Sequence, residues 1–198
     1  MQQRSEETRT HILEAALQLF SQHGYDATGI AEVCQAAGVS KGAFYHHFPS
    51  KLALFLQLLQ NWLIEINRQL AVVQDGAQDI PQTLFQMAGK MQWVFQEAQG
   101  KLPLFLEFWL QASRDPQIRA AVNKPYRQYH EYFAGLIQQG IDEGSLKPVD
   151  PQAAARILVA LATGLLLQGL LDPDGADWGA VTQESIQLFI AGMQRRPS

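Results

Sequence analysis

Residues 24–51 read GYDATGIAEVCQAAGVSKGAFYHHFPSK, and this stretch decides the fold. Apolar residues recur at helical spacing over 30–37, and Gly38 ends that run as a C-terminal glycine does. Ser40 is positioned to cap a second helix, which Pro49 closes. The pattern predicts two short helices joined by a tight glycine turn.

The second of these helices has two unlike faces. At about 100° per residue, Phe44 and Phe48 share one side, and the other side presents Gly42, Tyr45 and His46. On spacing alone a plain helical hairpin remains open. A small residue, however, lets a helix backbone enter the DNA major groove, and phenol and imidazole groups can bond phosphates or base edges. We therefore interpret the pair as a helix-turn-helix with its recognition helix second.

The rest of the chain also has a helical period, and no segment alternates as a strand would. Prolines and glycines divide this part of the chain into helical segments, because proline is tolerated in the first turn of a helix and glycine just after the last turn. We predict an all-α fold of about nine helices, the others lying near 6–23, 51–73, 80–98, 103–115, 116–140, 151–171 and from 177 onward.

Composition limits the class of protein. With 47% hydrophobic and 17% charged residues the chain can bury a core, and its single cysteine excludes a disulfide framework. The polar N-terminus lacks an apolar signal segment, so we expect a cytoplasmic protein. The apolar run 157–171 is shorter than the ~20 residues that cross a bilayer, which indicates a helix buried at a core or subunit interface.

The charge balance is unusual for a protein that binds nucleic acid. The formal net charge is −4, and the first 51 residues hold one more acidic than basic residue. Nucleic-acid binders usually present a basic face. Four of the five histidines fall in this segment and can add positive charge near phosphates, which weakens the objection without removing it.

Signatures of catalysis are missing from the sequence. It has no glycine-rich phosphate loop, no His-Glu-x-x-His pair and no Gly-x-Ser-x-Gly nucleophile. His46 and His47 point about 100° apart and cannot share a metal ion as an i, i+4 pair would. We expect no enzyme, no metal site and no cofactor. An interaction protein that kept the helix-turn-helix scaffold for another purpose remains the alternative.

The strings 24–28, 30–33 and 37–51 resemble the N-terminal signature of the TetR family of transcriptional regulators. The resemblance covers roughly residues 8–58, with its elements in order and without a gap. It implies a DNA-binding domain at 1–50 and a helical ligand-binding and dimerisation domain at 51–198. It further implies a homodimeric repressor that binds a pseudo-palindromic operator, and a small apolar or amphipathic effector that releases the DNA.

The resemblance also indicates which residues contact DNA. Where family members often have a second threonine this chain has Gly29, and Ala31 offers no polar reach, so base specificity should rest mainly on Lys41, Tyr45 and His46. The full set of expected DNA contacts is Thr28, Ser40, Lys41, Gly42, Ala43, Tyr45, His46, His47 and Lys51.

Aromatic and methionine side chains gather in the middle helices. Each alone is typical of core packing, but together they suggest a ligand pocket, which needs a few polar anchors as well. The expected lining is Trp62, Met91, Phe95, Phe105, Phe108, Trp109, Tyr126 and Tyr129. The candidate anchors are Glu107, Gln111, Arg127, Tyr129 and His130.

The last two helices are the expected dimer interface. Glycines among the leucines of the penultimate helix permit close helix approach, and two such pairs can form a four-helix interface across a two-fold axis. The two recognition helices could then reach major grooves about 34–36 Å apart. The expected interface residues are Ile157, Leu161, Gly164, Leu165, Phe189, Ile190 and Met193.

Activation of transcription instead of repression remains open, because the sequence does not show where the operator lies relative to a promoter.

Overall fold

A computed structural model describes residues 2–71, 79–98 and 102–195, and it gives the backbone alone for helix residues 2–3, 70–71, 91–98, 102, 103 and 105. Over these ranges the chain forms nine helices and no sheet, which confirms the all-α prediction. The helices are α1 (Gln2–His23), α2 (Ile30–Ala36), α3 (Lys41–His47), α4 (Lys51–Ala71), α5 (Ile80–Ala98), α6 (Leu102–Arg114), α7 (Pro116–Asp142), α8 (Pro151–Leu171) and α9 (Trp178–Met193).

Several helices begin at polar residues whose side chains cap them, and Ser40 does so as predicted. The Ser40 hydroxyl accepts a hydrogen bond from the Ala43 N–H at 3.1 Å. Asp150 caps α8 and Asp177 caps α9 through their carboxylates. Each cap satisfies a backbone donor that the first helical turn would otherwise leave unpaired.

The turn between α2 and α3 depends on Gly38. Its φ of +66° lies in the left-handed region, where a side chain is strained. The Gly38 N–H donates to the Gln35 carbonyl and the Val39 N–H donates to the Cys34 carbonyl, so α2 ends in a closed turn. The predicted glycine turn of the helix-turn-helix is confirmed.

The chain divides into two compact units, and the first is discontinuous in sequence. It contains residues 1–64 and 100–122, so α6 and the start of α7 pack with the first three helices. Its core is built around the fully buried rings of Phe20, Phe44 and Phe55. Phe55 also packs on Phe108 of α6, with ring centroids 4.2 Å apart. The domain boundary at residue 50 remains a prediction.

The second unit contains residues 65–99 and 123–198. Its core takes side chains from α5, α7, α8 and α9, among them Leu84, Ile137, Leu158 and Ile190. The end of α9 is held by the loop before α8, because the Lys147 N–H donates to the Met193 carbonyl at 2.8 Å.

Three of the residues expected at the dimer interface lie inside the second unit instead. Leu165, Ile190 and Met193 are buried within the single chain, which speaks against the prediction that they contact a partner. Their helices are apolar on most sides, and the sequence could not distinguish the face that packs on α5 from the outer face. Leu161, Gly164 and Phe189 are half-buried.

Ile157 begins a line of residues that face outward along α8. The line follows the alternating spacing of three and four residues that marks one side of a helix. We call it the outer stripe of α8, and it consists of Ile157, Ala160, Gly164, Leu167 and Leu171. Ile157 is 52% exposed and Leu171 is 74% exposed, so apolar side chains in this stripe face solvent in the single chain.

Among the described helices, α8 is long and apolar enough to cross a membrane by length and composition alone. It has 21 residues, and an 18-residue window within it has a mean hydropathy of 1.8, so the apolar stretch is longer than the run 157–171 considered from the sequence. The core helix of a soluble protein can be equally long and apolar. One side of α8 packs into the core of the second unit through Ala155 and Leu158.

Candidate nucleic-acid interface

The short helix α3 is held by its two phenylalanines. Phe44 is fully buried and Phe48 is 3% exposed, and both belong to the core of the first unit. From α1, the Arg9 guanidinium lies over the Phe48 ring at 5.4 Å from its centroid. The rotation of α3 about its own axis is therefore fixed by side chains on one side only.

The opposite side of α3 faces solvent. Tyr45 is 53% exposed, and its ring meets the buried Phe44 edge to face. His46 is also exposed, and its ring packs edge to face on the half-buried His47 at 5.1 Å. Of the other expected DNA contacts in this segment, Ser40, Lys41 and Gly42 are exposed and Ala43 is half-buried.

Packing inside the protein does not require a glycine at position 42. A Cβ atom built on Gly42 would meet only the Ser40 hydroxyl oxygen, at an ordinary contact distance of 3.8 Å. The residue also has an ordinary helical backbone, since it is not among the glycines with positive φ. No contact among the described residues therefore requires a glycine at this exposed position.

Thr28 does not belong to this surface. Its side chain is fully buried, and its hydroxyl donates to the Gly24 carbonyl at 2.9 Å. The prediction that the Thr28 side chain contacts DNA is wrong, because the hydroxyl holds the connection between α1 and α2 together. Sequence similarity alone could not separate this internal bond from an external one.

Lys51 also makes internal bonds. Its ammonium group donates to the carbonyl oxygens of Tyr25 at 2.8 Å and Thr28 at 3.0 Å. It also lies 4.3 Å from the centroid of the Tyr25 ring. Two of its three N–H groups are thus used within the protein, and its expected contact with a phosphate rests on the third.

Gly29 begins α2 without a side-chain cap. The Glu32 carboxylate compensates by accepting a hydrogen bond from the Gly29 N–H at 2.7 Å. This is one of the two hydrogen bonds of a capping box, the one between the N-cap backbone N–H and the side chain three residues later. As expected from the sequence, Gly29 can serve as the N-cap, and it offers no hydroxyl to a phosphate.

Helix α6 holds the segment between α1 and α2 from another direction. The buried Gln111 amide donates to the Asp26 carboxylate at 3.0 Å and to Glu107 at 2.9 Å. Arg114 lies 3.6 Å from the same Asp26 carboxylate. Burial, reinforced by the negative charges of Asp26 and Asp115, raises the pKa of the neighbouring Tyr25. No spacing in the sequence pairs residue 26 with residue 111, so this contact was missed.

These bonds change the interpretation of two proposed ligand anchors. Glu107 and Gln111 bond each other inside the first unit, and the second Glu107 oxygen would lie 3.3 Å from a Cβ atom on Gly24. Glu107 therefore faces the helix-turn-helix segment in this structure, and the expectation that it offers its charge to a ligand is not supported.

The residues expected to line a pocket fall into four groups. Phe108 is buried against Phe55 as a core residue, whereas Trp109 is 38% exposed at the surface. Trp62, Tyr126 and Tyr129 are half-buried. The side chains of the remaining predicted residues, Met91, Phe95 and Phe105, lie outside the described part of the chain.

Polar groups of α7 in the second unit remain candidates for ligand contact. Tyr126 lies 3.4 Å from the Thr163 hydroxyl, and its ring packs edge to face on His130. Burial and the charge of Arg156 lower the pKa of His130. The Tyr129 hydroxyl is buried, and burial raises its pKa to about 12. Arg127 is exposed.

A surface cavity of about 290 Å³ lies elsewhere in the second unit, between α5 and α9. Its walls include Phe85, Gln187 and Gln194. None of its lining residues is among those predicted from the sequence to bind a ligand.

Two family models match the chain. The model described as "Bacterial regulatory proteins, tetR family" matches residues 12–58, which contain α2, α3 and most of α1. The model described as "BetI-type transcriptional repressor, C-terminal" matches residues 90–188. The first match coincides with the resemblance seen in the sequence, and the second by itself covers half of the chain.

Known proteins with similar chains are transcriptional regulators. The HTH-type transcriptional regulator UidR of Escherichia coli is 28% identical over 167 residues, covering 84% of this chain and 83% of UidR. A regulator structure from Pseudomonas aeruginosa is 23% identical, with a TM-score of 0.84 over 93% of this chain and 88% of that one. One from Saccharomonospora viridis, in complex with choline, is 24% identical, with a TM-score of 0.79 over 96% and 100%. These two structures support the fold.

Replacing Lys51 by methionine should destabilise the protein. The Lys51→Met variant leaves the carbonyls of Tyr25 and Thr28 without their charged donor, which should cost about 1–3 kcal/mol in the free energy of unfolding. Denaturant unfolding measures the change. Lys41→Met, on the exposed start of α3, is the matched control and should leave stability unchanged. Equal stability of the two variants would show that the internal role assigned to Lys51 is wrong.

Proposed function

The chain belongs to the tetR family of bacterial regulatory proteins and is a DNA-binding transcriptional regulator, and we propose that it is a homodimeric repressor released from its operator by a small molecule. The single observation that carries the proposal is the outer face of α3. Tyr45 and His46 are exposed there, while Phe44 behind them is fully buried.

The chemistry of this face suits the DNA major groove. Gly42 lets the helix backbone approach, and the Tyr45 hydroxyl and His46 imidazole can hydrogen-bond to base edges or phosphates. Lys41 adds a positive charge at the start of the helix, where a phosphate is also favoured by the helix dipole. The proposed DNA contacts are Ser40, Lys41, Gly42, Ala43, Tyr45, His46 and His47, with the free N–H of Lys51.

We assign DNA binding to residues 1–50 and effector binding with dimerisation to residues 51–198. The two compact units support a different boundary between these functions, because the first unit also includes α6 and the start of α7. In that arrangement Gln111 bonds the segment that precedes α2, so a displacement of α6 would strain the helix-turn-helix. Binding of an effector could in this way change the population of the DNA-binding conformation.

The outer stripe of α8 is the proposed dimer interface. Leu171 is 74% exposed, and Leu188 on α9 is 68% exposed, which leaves apolar side chains on both of the last helices without cover in the single chain. A cyclic dimer needs one self-complementary patch, and a stripe with small residues such as Ala160 and Gly164 permits close helix packing. A second copy of this chain is therefore the occupant that we propose.

The proposed effector is a small apolar or amphipathic molecule. The C-terminal family description supports repression, and the choline complex of the Saccharomonospora viridis regulator supports a small-molecule ligand. We also propose a cytoplasmic location, where the operator lies. An activator or a nonspecific chromosome binder is the alternative, and selection of bound genomic fragments separates them: a repressor returns a pseudo-palindrome that overlaps a promoter.

Substitutions on the outer face of α3 should weaken operator binding without unfolding the protein. We expect Tyr45→Phe and His46→Ala each to cost about 1–3 kcal/mol of binding free energy, because each removes a contact to DNA alone. Fluorescence anisotropy with a selected genomic fragment measures the affinity. His23→Ala, an exposed histidine at the end of α1, is the control and should bind normally. Unchanged affinity in both α3 variants would refute the proposed interface.

A charge in the outer stripe of α8 should break the dimer. Ile157→Asp would bury a carboxylate without a partner at the proposed interface, so we expect a monomer in analytical ultracentrifugation. Ile64→Asp is the matched control, since Ile64 on α4 is 57% exposed and lies outside the stripe. A dimer that persists in Ile157→Asp at micromolar concentration would contradict the assigned interface.

A further inference from the structure

Tyr129 has a buried hydroxyl group without a hydrogen-bond partner. The residue lies on α7 in the second unit, and burial raises its pKa to about 12. The phenol therefore keeps its proton at neutral pH and is a hydrogen-bond donor. Buried polar groups in folded proteins are nearly always paired, so a group that is not paired requires an explanation.

Tyr126, one helical turn earlier, provides the contrast. Its hydroxyl lies 3.4 Å from the Thr163 hydroxyl on α8, and its ring packs on His130. The two tyrosines share a helix and a chemical group. One hydroxyl is satisfied within the chain and the other is not.

Two other buried hydroxyls without partners, on Ser21 and Thr182, have a simpler explanation. Each is attached directly to Cβ in a helix and can rotate toward the carbonyl four residues earlier. The Tyr129 hydroxyl stands at the far end of an aromatic ring and cannot reach its own backbone. Its partner must come from elsewhere, because the part of the chain that the structure describes supplies none.

We propose that the Tyr129 hydroxyl is the hydrogen-bond anchor of the effector, an uncharged and mainly apolar molecule with an oxygen acceptor, such as a ketone or ester. The inference rests on the proposed function, because it names the ligand class of the regulatory part. Phe133 lies on the same side of α7, one turn later, and packs on the core of the second unit, which supports an apolar surrounding.

The neighbouring charges favour an uncharged ligand. His130 is the titratable group nearest in sequence on α7, and burial with the charge of Arg156 lowers its pKa, which disfavours its charged form. Arg156 and Arg127 are themselves exposed to solvent. A buried anion would need a buried cationic partner to offset its lost hydration, and a neutral oxygen acceptor needs only the phenol.

Stability without any ligand gives the first test. Tyr129→Phe removes a buried donor that has no partner, so its melting temperature should equal or exceed that of the unmodified protein. Tyr126→Phe removes a hydroxyl that has a partner and should lower the melting temperature. If Tyr129→Phe lowers the melting temperature as much as Tyr126→Phe does, the proposal is overturned, because the Tyr129 hydroxyl would then have a partner in the protein.

Ligand selectivity gives the second test, with acetophenone and its hydrocarbon isostere α-methylstyrene as probes. Calorimetry should give tighter binding of the ketone by roughly 2- to 12-fold, the value of one hydrogen bond. The preference should vanish in Tyr129→Phe and persist in Tyr126→Phe. Equal binding of both probes, binding of neither, or a preference that survives in Tyr129→Phe overturns the proposal. Choline is the third probe, and tighter binding of choline than of the ketone, unaffected by Tyr129→Phe, overturns it as well.

DNA binding is measured in the same variants without probes, so that the two proposals can fail separately. Normal binding of the selected fragment with no ketone preference removes only the Tyr129 anchor. A Tyr129-dependent ketone preference in a protein that selects no DNA fragment removes the repressor and leaves the ligand site.

Discussion

Burial of Phe44 is the interaction on which the DNA-binding part depends. A helix of seven residues is too short to be stable by itself in water, so α3 exists because it is packed. The fully buried ring contributes on the order of 1.5–3 kcal/mol and fixes the rotation of the helix. Because Phe44 and Phe48 occupy the inner side, Tyr45 and His46 must face outward. The same packing that stabilises the helix thus selects the surface that we propose meets DNA.

The connection between α1 and α2 is the second constraint, and two distant parts of the chain hold it. Lys51 at the start of α4 bonds its carbonyls, and Gln111 on α6 bonds Asp26. Helix α6 follows the helix-turn-helix by about fifty residues in the chain but packs in the same unit. The orientation of α2 and α3 is therefore tied to α6 within the first unit.

Local patterns in the sequence predicted the fold well, because caps and turns act over a few residues. Ser40, Gly38 and Asp150 each behave as their chemistry requires. The failures concern contacts between distant segments. Thr28 matches the family signature but bonds inward, and Leu165 and Ile190 lie on helices that are apolar on most sides, so periodicity could not separate the core face from the outer stripe. Glu107 was predicted to anchor a ligand, but in the structure it accepts a hydrogen bond from Gln111.

We propose that a pair of α3 helices enters the major groove with its Tyr45 face toward the bases. Methylation protection on a selected genomic fragment tests it most directly, because guanine N7 lies in the major groove and adenine N3 in the minor groove. The account predicts two protected N7 clusters on one side of the duplex, with centres about one helical turn or a multiple of it apart. Protection confined to adenine N3, or a single unpaired cluster, would contradict it.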